Sequence, residues 1–313
     1  MRYLPIERIP VDALLAMPVY GSGGSILLNA NTALKRSYLQ KLAALGFAGL
    51  YIYDEISEDI VVEQLLSEEL RAEVFNALKT LDVDACRLLA HSLVDELCKR
   101  PHASIDMMNV ASYDNYTYNH SLDVAVLAVI VGIGCGYPYE RLKRLSEGAL
   151  LHDIGKMHIS LSILNKIEPL TEAEMETIRQ HPTDGYEMIK TDSTISPLVK
   201  RAVYAHHENE DGSGYPNHLT GIEIPQFAKI IHACDVYDAL VSNRIYRKAL
   251  NPADAMEYLM SNCYTMFDVR YLTLPQLTQR DSRGRRLVPQ GNTFLLPANL
   301  ARGMPLPLTG QSV

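Results

Sequence analysis

Five histidines and two aspartates between residues 120 and 235 are the side chains of this sequence best suited to chemistry. His120 is followed by the adjacent pair His152-Asp153 in HDIGK, and then by His181 in QHP. Next come the adjacent pair His206-His207 in HHENEDGSGYP and Asp235 in HACDVYDAL. Most of them sit in apolar, helix-like sequence. Buried imidazoles and carboxylates need partners, and a converging group with few cations nearby is most readily neutralised by metal ions. A polynuclear metal site is expected.

Neighbours on a helix project about 100° apart, so neither HD nor HH chelates one ion from one face. Diverging neighbours suit two ions with a carboxylate between them, and Asp153 can offer one oxygen to each. His120, His152 and Asp235 then complete one ion, with His181, His206 and His207 on the other. Mixed nitrogen and oxygen donors favour iron or manganese, admit zinc, nickel and cobalt, and do not suit magnesium alone. A pair of ions acidifies a shared water and clamps the attacking and leaving oxygens of an in-line displacement, which is phosphoester hydrolysis.

Lys156, four residues beyond His152, is expected to reach a phosphate oxygen from the next helical turn. Arg244, Arg247 and Lys248 form a compact cationic group after Asp235, and Arg forks suit phosphate or guanine. A lone histidine in a helix is usually a hydrogen-bonded core or surface residue. His91, His102, His158, His218 and Tyr113 therefore receive no role, while His232, one turn before Asp235, is expected at most to support the ligands.

These residues need helices to carry them. Apolar residues recur three and four apart over Glu63–Leu81, Ala85–Lys99, Ser121–Ile133 and Tyr139–Leu151. The same reading gives helices at Glu172–Gln180, Pro197–His206, Pro225–Val241 and Pro252–Asn262, with a loop around Pro216 and Gly221. Residues 1–58 read differently. Strand-like runs in MPVY, SILLNANTAL and FAGLYIYDE, with a helix over Leu34–Leu45, predict a small α+β N-terminal domain. A helical domain over 59–267, with its metal site within 113–256, and an irregular tail over 268–313 complete the organisation. The fold class expected is mainly α, a helical bundle core behind the small α+β domain.

With 47% hydrophobic and 21% charged residues the chain belongs to the ordinary globular class. A formal charge of −8 argues against a nucleic-acid polymer as partner, since phosphate-driven association needs clustered basic residues. Bound cations can still recruit a small anionic substrate. Five scattered cysteines without a CxxC pair suit a reducing compartment. The N-terminus lacks the pattern of a signal peptide, and the longest apolar run, Val124–Gly136, is too short to span a bilayer. A cytoplasmic location without a membrane span is expected.

At NHSLDVA, HDIGK, LTEAE with QHP, HHENEDGSGYP, GIEIP and ACDVYDALVSNRIYRKA the sequence resembles the HD-GYP family of the HD phosphohydrolase superfamily, from about Tyr113 to Met256. HD alone is a weak signal; the three segments together are specific. The resemblance implies an all-helical core of five or more helices and a di- or trinuclear site, often of iron or manganese. It also implies hydrolysis of cyclic di-GMP to linear pGpG, in some members on to GMP. The family's ligands fall on His120, His152, Asp153, His181, His206, His207 and Asp235. Lys156 matches a phosphate-contacting lysine, Arg244 and Arg247 match residues that hold the nucleotide, and Gly214, Tyr215 and Pro216 form the loop that names the family.

Members with three metals share a glutamate four residues before the first histidine, where this chain has Tyr116, so two divalent ions are expected. Val241 and Ile245 depart from the family's usual Thr and Pro, and His218 replaces a usual Gly, which would narrow the substrate cleft. The expected activity is a cyclic di-GMP phosphodiesterase acting through a hydroxide between the ions, with Asp153 and Lys156 as catalytic residues. Two alternatives stay open: hydrolysis of another 3′,3′-cyclic dinucleotide such as cyclic GMP-AMP, and a nucleotide-binding signalling module of low activity. Protein partners are expected at the N-terminal domain or the GYP loop, and a homodimer is compatible with the sequence.

Overall fold

The computed structural model describes residues 2–20, 26–45, 47, 49–53, 66–99, 116–166, 168–242, 250–272, 279–280 and 286–287. The N-terminal region is built on β1 (Arg2–Pro5), β2 (Val19–Tyr20), β3 (Ile26–Leu28), α1 (Arg36–Ala44) and β4 (Gly49–Ile52). β1 pairs antiparallel with β4, Arg2 facing Ile52, and β2 pairs antiparallel with β3. Ile6, Leu15, Leu34, Leu42, Leu50 and Ile52 form a core of their own. Sequence reading missed β1, because four residues with a proline give too short a period to detect.

The remaining helices are α2 (Glu68–Thr80), α3 (Val83–Lys99), α4 (Tyr116–Gly134), α5 (Tyr139–Leu151), α6 (Leu161–Leu164), α7 (Glu172–Arg179), α8 (His181–Ile189), α9 (Pro197–Ala205), α10 (Gln226–Val241), α11 (Pro252–Ser261) and α12 (Val269–Leu272). They share a second, larger core. α4 packs against α5 and α10, and α9 packs against α5, α8 and α10. Val124, Ala125, Ala128 and Val129 on α4 are fully buried. An apolar surface all round makes a helix central rather than amphipathic, which explains the long apolar run in sequence. Among the described residues no helix is long and apolar enough to cross a membrane.

Local chemistry sets the ends of the helices near the site. Thr171 and Glu174 form a reciprocal capping box that starts α7, and Glu174 also pairs with Lys166. Ser196 caps α9, whose first residue is Pro197, and Asn251 caps α11 ahead of Pro252. Further short elements escaped the sequence reading, among them a 3-10 segment over Ile154–His158, α6 and α8. The expected tail contains α12 and a pairing of Gln279–Arg280 with Arg286–Leu287, and its other residues beyond 272 lie outside the described ones.

Glu147 on α5 gives the core a pH dependence. It is 3% exposed, and its Oε1 has no hydrogen-bond partner among the described residues. Burial pushes its carboxyl up to about 7 against the opposing Arg87 and Arg144, with Asp192 adding to the rise. The native state therefore holds this proton more tightly than the unfolded chain does. The resulting stability is complete below pH 4.5, the ordinary value, and is lost as pH climbs to about 7. Urea unfolding across that window should show Glu147→Gln gaining about 2 kcal/mol on the parent chain, with a constant difference on either side. A pH-independent difference would contradict this account.

Candidate metal centre

Three helices end at the same place. α5 stops at Leu151 with His152 at its C-cap; α7 stops at Arg179 just before His181 opens α8; α9 stops at Ala205 with His206 at its C-cap. Carbonyls in the last turn of a helix lack intrahelical partners, and here a histidine three residues on takes one in each case. Nδ1 of His152 donates to the Ala149 carbonyl at 2.7 Å, that of His181 to Ile178 at 2.6 Å, and that of His206 to Val203 at 2.7 Å. A ring that donates from Nδ1 keeps a lone pair on Nε2. The carbonyl ends of the helices also carry partial negative charge, which favours a cation in front of them.

The Nε2 atoms converge on Asp153. Its Oδ2 lies 3.4 Å from His152 Nε2 and 3.9 Å from His120 Nε2, and its Oδ1 lies 3.3 Å from His181 Nε2 and 3.8 Å from His206 Nε2. Each carboxylate oxygen thus faces one pair of imidazoles, as expected for a bridge. Asp235 Oδ1 stands 3.0 Å from His120 Nε2. Two groups of donors with ligand atoms within 4.8 Å of one another share Asp153: one with His120 and His152, the other with His181, His206 and His207. Sequence reading attributed the divergence of the HD and HH pairs to helical geometry. In the structure the chain leaves the helix at each pair, and that is what spreads them.

The residues fit metal ions on three observations. Nε2 of His181 and Nε2 of His206 face each other at 3.2 Å although both rings donate from Nδ1. Neutral rings in that tautomer would oppose two lone pairs, which a shared cation resolves. At about 2.1 Å from one ion, nitrogens at right-angled to tetrahedral positions lie about 3.0–3.4 Å apart. The other two observations are orphaned polar atoms: His152 Nε2 and Asp153 Oδ1 are buried with no well-aligned hydrogen-bond partner.

Burial lowers His206 to about 4 despite Asp153, with His152 and His181 contributing, and holds His207 well below the ordinary range, reinforced by His206 and His181. Both rings are therefore neutral and available as donors at pH 7. Burial would raise Asp153 and Asp235. His152 and Lys156 instead hold the first well below the usual carboxylate range, and His120 does so for the second. For His120, burial is outweighed by hydrogen bonds to Asp235 and Asp238, which raise it to about 10. An ion at Nε2 must displace that proton, so metal uptake here releases protons.

Lys156 sits in the 3-10 segment, and its Nζ is 2.5 Å from Asp153 Oδ2. The sequence-based picture of a lysine one α-helical turn beyond His152 is corrected, because the α-helix ends before it. The loop after α9 is laced by Glu208, buried at 2% exposure, whose carboxylate accepts the Asn217 amide at 2.7 Å and the Leu219 amide at 2.9 Å. Tyr215 stacks on His207 with ring centroids 4.7 Å apart. Gly214 is required by close approach: a Cβ there would stand 2.4 Å from the His207 carbonyl oxygen. His218 is exposed and holds φ +56°, a left-handed conformation natural for the glycine it replaces. Arg244, Arg247, Lys248, Ile245 and Tyr113 lie outside the described residues, and of Tyr116 only the backbone, at the start of α4, is described.

Sequence reading missed Asp238. Its Oδ2 accepts from His120 Nδ1 at 2.6 Å and fixes the ring so that Nε2 faces the centre. The spacing D-x-x-D in DVYDAL places Asp238 one turn beyond Asp235, but nothing in the sequence tells which histidine it meets. Asp238→Asn should weaken metal binding by about 10–100-fold, measured by competition with a chromophoric chelator. Unchanged affinity would remove Asp238 from the centre.

The profile of the HD domain family matches residues 107–270. A cyclic di-GMP phosphodiesterase of Pseudomonas aeruginosa is 34% identical over 207 residues, 64% of this chain and 50% of that protein. The cyclic di-GMP phosphodiesterase response regulator RpfG of Xanthomonas campestris is 32% identical over 224 residues, 68% of this chain and 59% of that protein. A 3′3′-cGAMP-specific phosphodiesterase of Vibrio cholerae is 35% identical over 153 residues, 49% of this chain and 33% of its own length. The chain therefore spans between a third and three-fifths of these relatives. In fold it is similar to Bd1817, an HDG"Y"P protein from Bdellovibrio bacteriovorus, with a TM-score of 0.57 at 15% identity over 87% of this chain and 96% of that one. With more than half of its residues inside the matched region, and with the paired histidines and aspartates assembled as above, this chain belongs to the HD domain family.

Proposed function

We propose that the chain is a metal-dependent phosphodiesterase that hydrolyses cyclic di-GMP to linear pGpG, with GMP as a possible further product. The observation that carries this reading is the division of Asp153 between two sets of imidazoles, one oxygen toward His120 and His152 and the other toward His181 and His206. A pair of divalent ions, with iron or manganese preferred, would supply an acidified water and positive charge to offset that of the phosphate.

The protein's own groups do the rest. Asp153 and Asp235 balance the charge of the ions, and the helix-end carbonyls hold His152, His181 and His206 in their donor tautomer. The ammonium of Lys156, with 22% of its side chain exposed, stands beside Asp153 on the partly open side and would offset charge on a phosphate oxygen. Tyr215, with Gly214 and Pro216, would form one wall for the nucleotide, and Arg244 and Arg247 its cationic contacts. A cytoplasmic location suits the five cysteines, all of them free. The N-terminal domain and the GYP loop are the proposed surfaces for protein partners, a homodimer included.

The 35% identity to a Vibrio protein named for 3′3′-cGAMP favours a second reading, the same hydrolysis on a mixed cyclic dinucleotide. Incubating protein of known metal content with each dinucleotide, and resolving the products by chromatography, tests both. Cyclic di-GMP should be cleaved faster than the mixed dinucleotide, with linear pGpG as its product. Faster cleavage of the mixed dinucleotide would transfer the proposal to it. Failure to cleave either, alongside micromolar binding, would favour a signalling module.

A further inference from the structure

We propose that His232, together with His207 and Asp235, forms a third divalent-cation site at the edge of the centre, with His232 binding through Nδ1. The inference rests on the metal-binding reading above. Ligand atoms of these three residues lie within 4.8 Å of one another. His232 and Asp235 share one face of α10, three residues apart, and His207 comes from the loop after α9.

The state of His232 follows from its neighbours. Its ring is 4% exposed and packs against Phe267 at a centroid distance of 5.1 Å. Nε2 lies 3.1 Å from Asn209 Oδ1. The Asn209 amide is oriented with its Nδ2 donating to Ser213 Oγ at 2.9 Å. Asn209 thus presents an acceptor, so Nε2 carries the proton and Nδ1 carries the lone pair. That Nδ1 is buried and has no well-aligned hydrogen-bond partner among the described residues. Leaving such an atom unpaired is unfavourable, and a cation between it, His207 and Asp235 would remove that cost.

Donor arithmetic supports the assignment. Asp235 has Oδ1 toward His120 and a second oxygen to offer, so it can bridge as Asp153 does. His207 belongs to two groups of donors, and one nitrogen serves one ion. If His207 serves the third ion, Asp153, His181 and His206 remain for the second, and His120, His152 and Asp153 for the first. Each ion then keeps at least three protein ligands. Two imidazoles and one carboxylate suit a first-row divalent metal rather than magnesium or calcium. Tyr116 lies on α4, which contributes none of the three residues of this set, so the count of two ions expected from it concerns other ligands.

The test is a metal count. The full chain, stripped with a chelator, is dialysed against Mn(II) alone, and bound metal is measured by elemental analysis. Three manganese ions per chain are expected, falling to two in His232→Phe and in His232→Leu, which preserve the packing without a lone pair. Two ions in the parent chain would overturn the third site and leave the pair standing. None would overturn the pair as well. Three ions retained in both variants would remove His232 as a ligand.

Discussion

Replacing His152 and Asp153 together by alanine should leave a chain that holds neither ion of the pair and turns over cyclic dinucleotide at least about 10³-fold more slowly. The size follows from the several kcal/mol of charge stabilisation that paired ions provide, at about tenfold in rate per 1.4 kcal/mol. Asp153 is central because it faces His120, His152, His181 and His206 within 3.9 Å and also pairs with Lys156. Its loss removes the carboxylate shared by the two donor groups. Elemental analysis and product chromatography on the same sample make the check. Turnover that survives the double change would defeat the proposed mechanism, because no other carboxylate among the described residues lies in both groups.

A comparable loss is expected from a single methyl group. In Gly155→Ala the new Cβ would stand 2.0 Å from the His181 carbonyl oxygen and 2.5 Å from the Gly185 amide nitrogen. Both are backbone atoms, so the 3-10 segment and α8 must move apart. Overpacking of this kind costs about 1–3 kcal/mol, and more where the neighbour is rigid. The shift also carries His181 away from Asp153 and from the Ile178 carbonyl that sets its tautomer. Denaturant unfolding should show the destabilisation, and metal analysis should show the loss of the ion bound by His181 and His206. A variant with parental stability and metal content would refute the close-packing argument.

Much of this architecture can be read from local pattern. The long helices near α3, α4, α5 and α10 follow from apolar periodicity, and Pro197 and Pro252 mark the starts of α9 and α11. Short elements were hidden because a 3-10 turn, a single-turn helix and a four-residue strand contain too few periods. α8 was hidden for another reason: the helix was read to stop at Gln180, and that same residue, the C-cap of α7, is also the N-cap of α8, which begins at once with His181 and Pro182.

The sequence by itself determined the kinds of candidate ligand, their order along the chain and most of the helices that carry them, since residue type and period are local quantities. Only the tertiary structure decided that His152, His181 and His206 donate to carbonyls at three helix ends, that Lys156 pairs with Asp153, and that His120 is held by Asp238 from 118 residues away. It also decided that His232 comes within reach of His207 and Asp235. The reason is physical. A hydrogen-bond partner, and therefore a tautomer and a lone pair, depends on which helix ends pack together, and packing over such separations leaves no periodic trace in the chain.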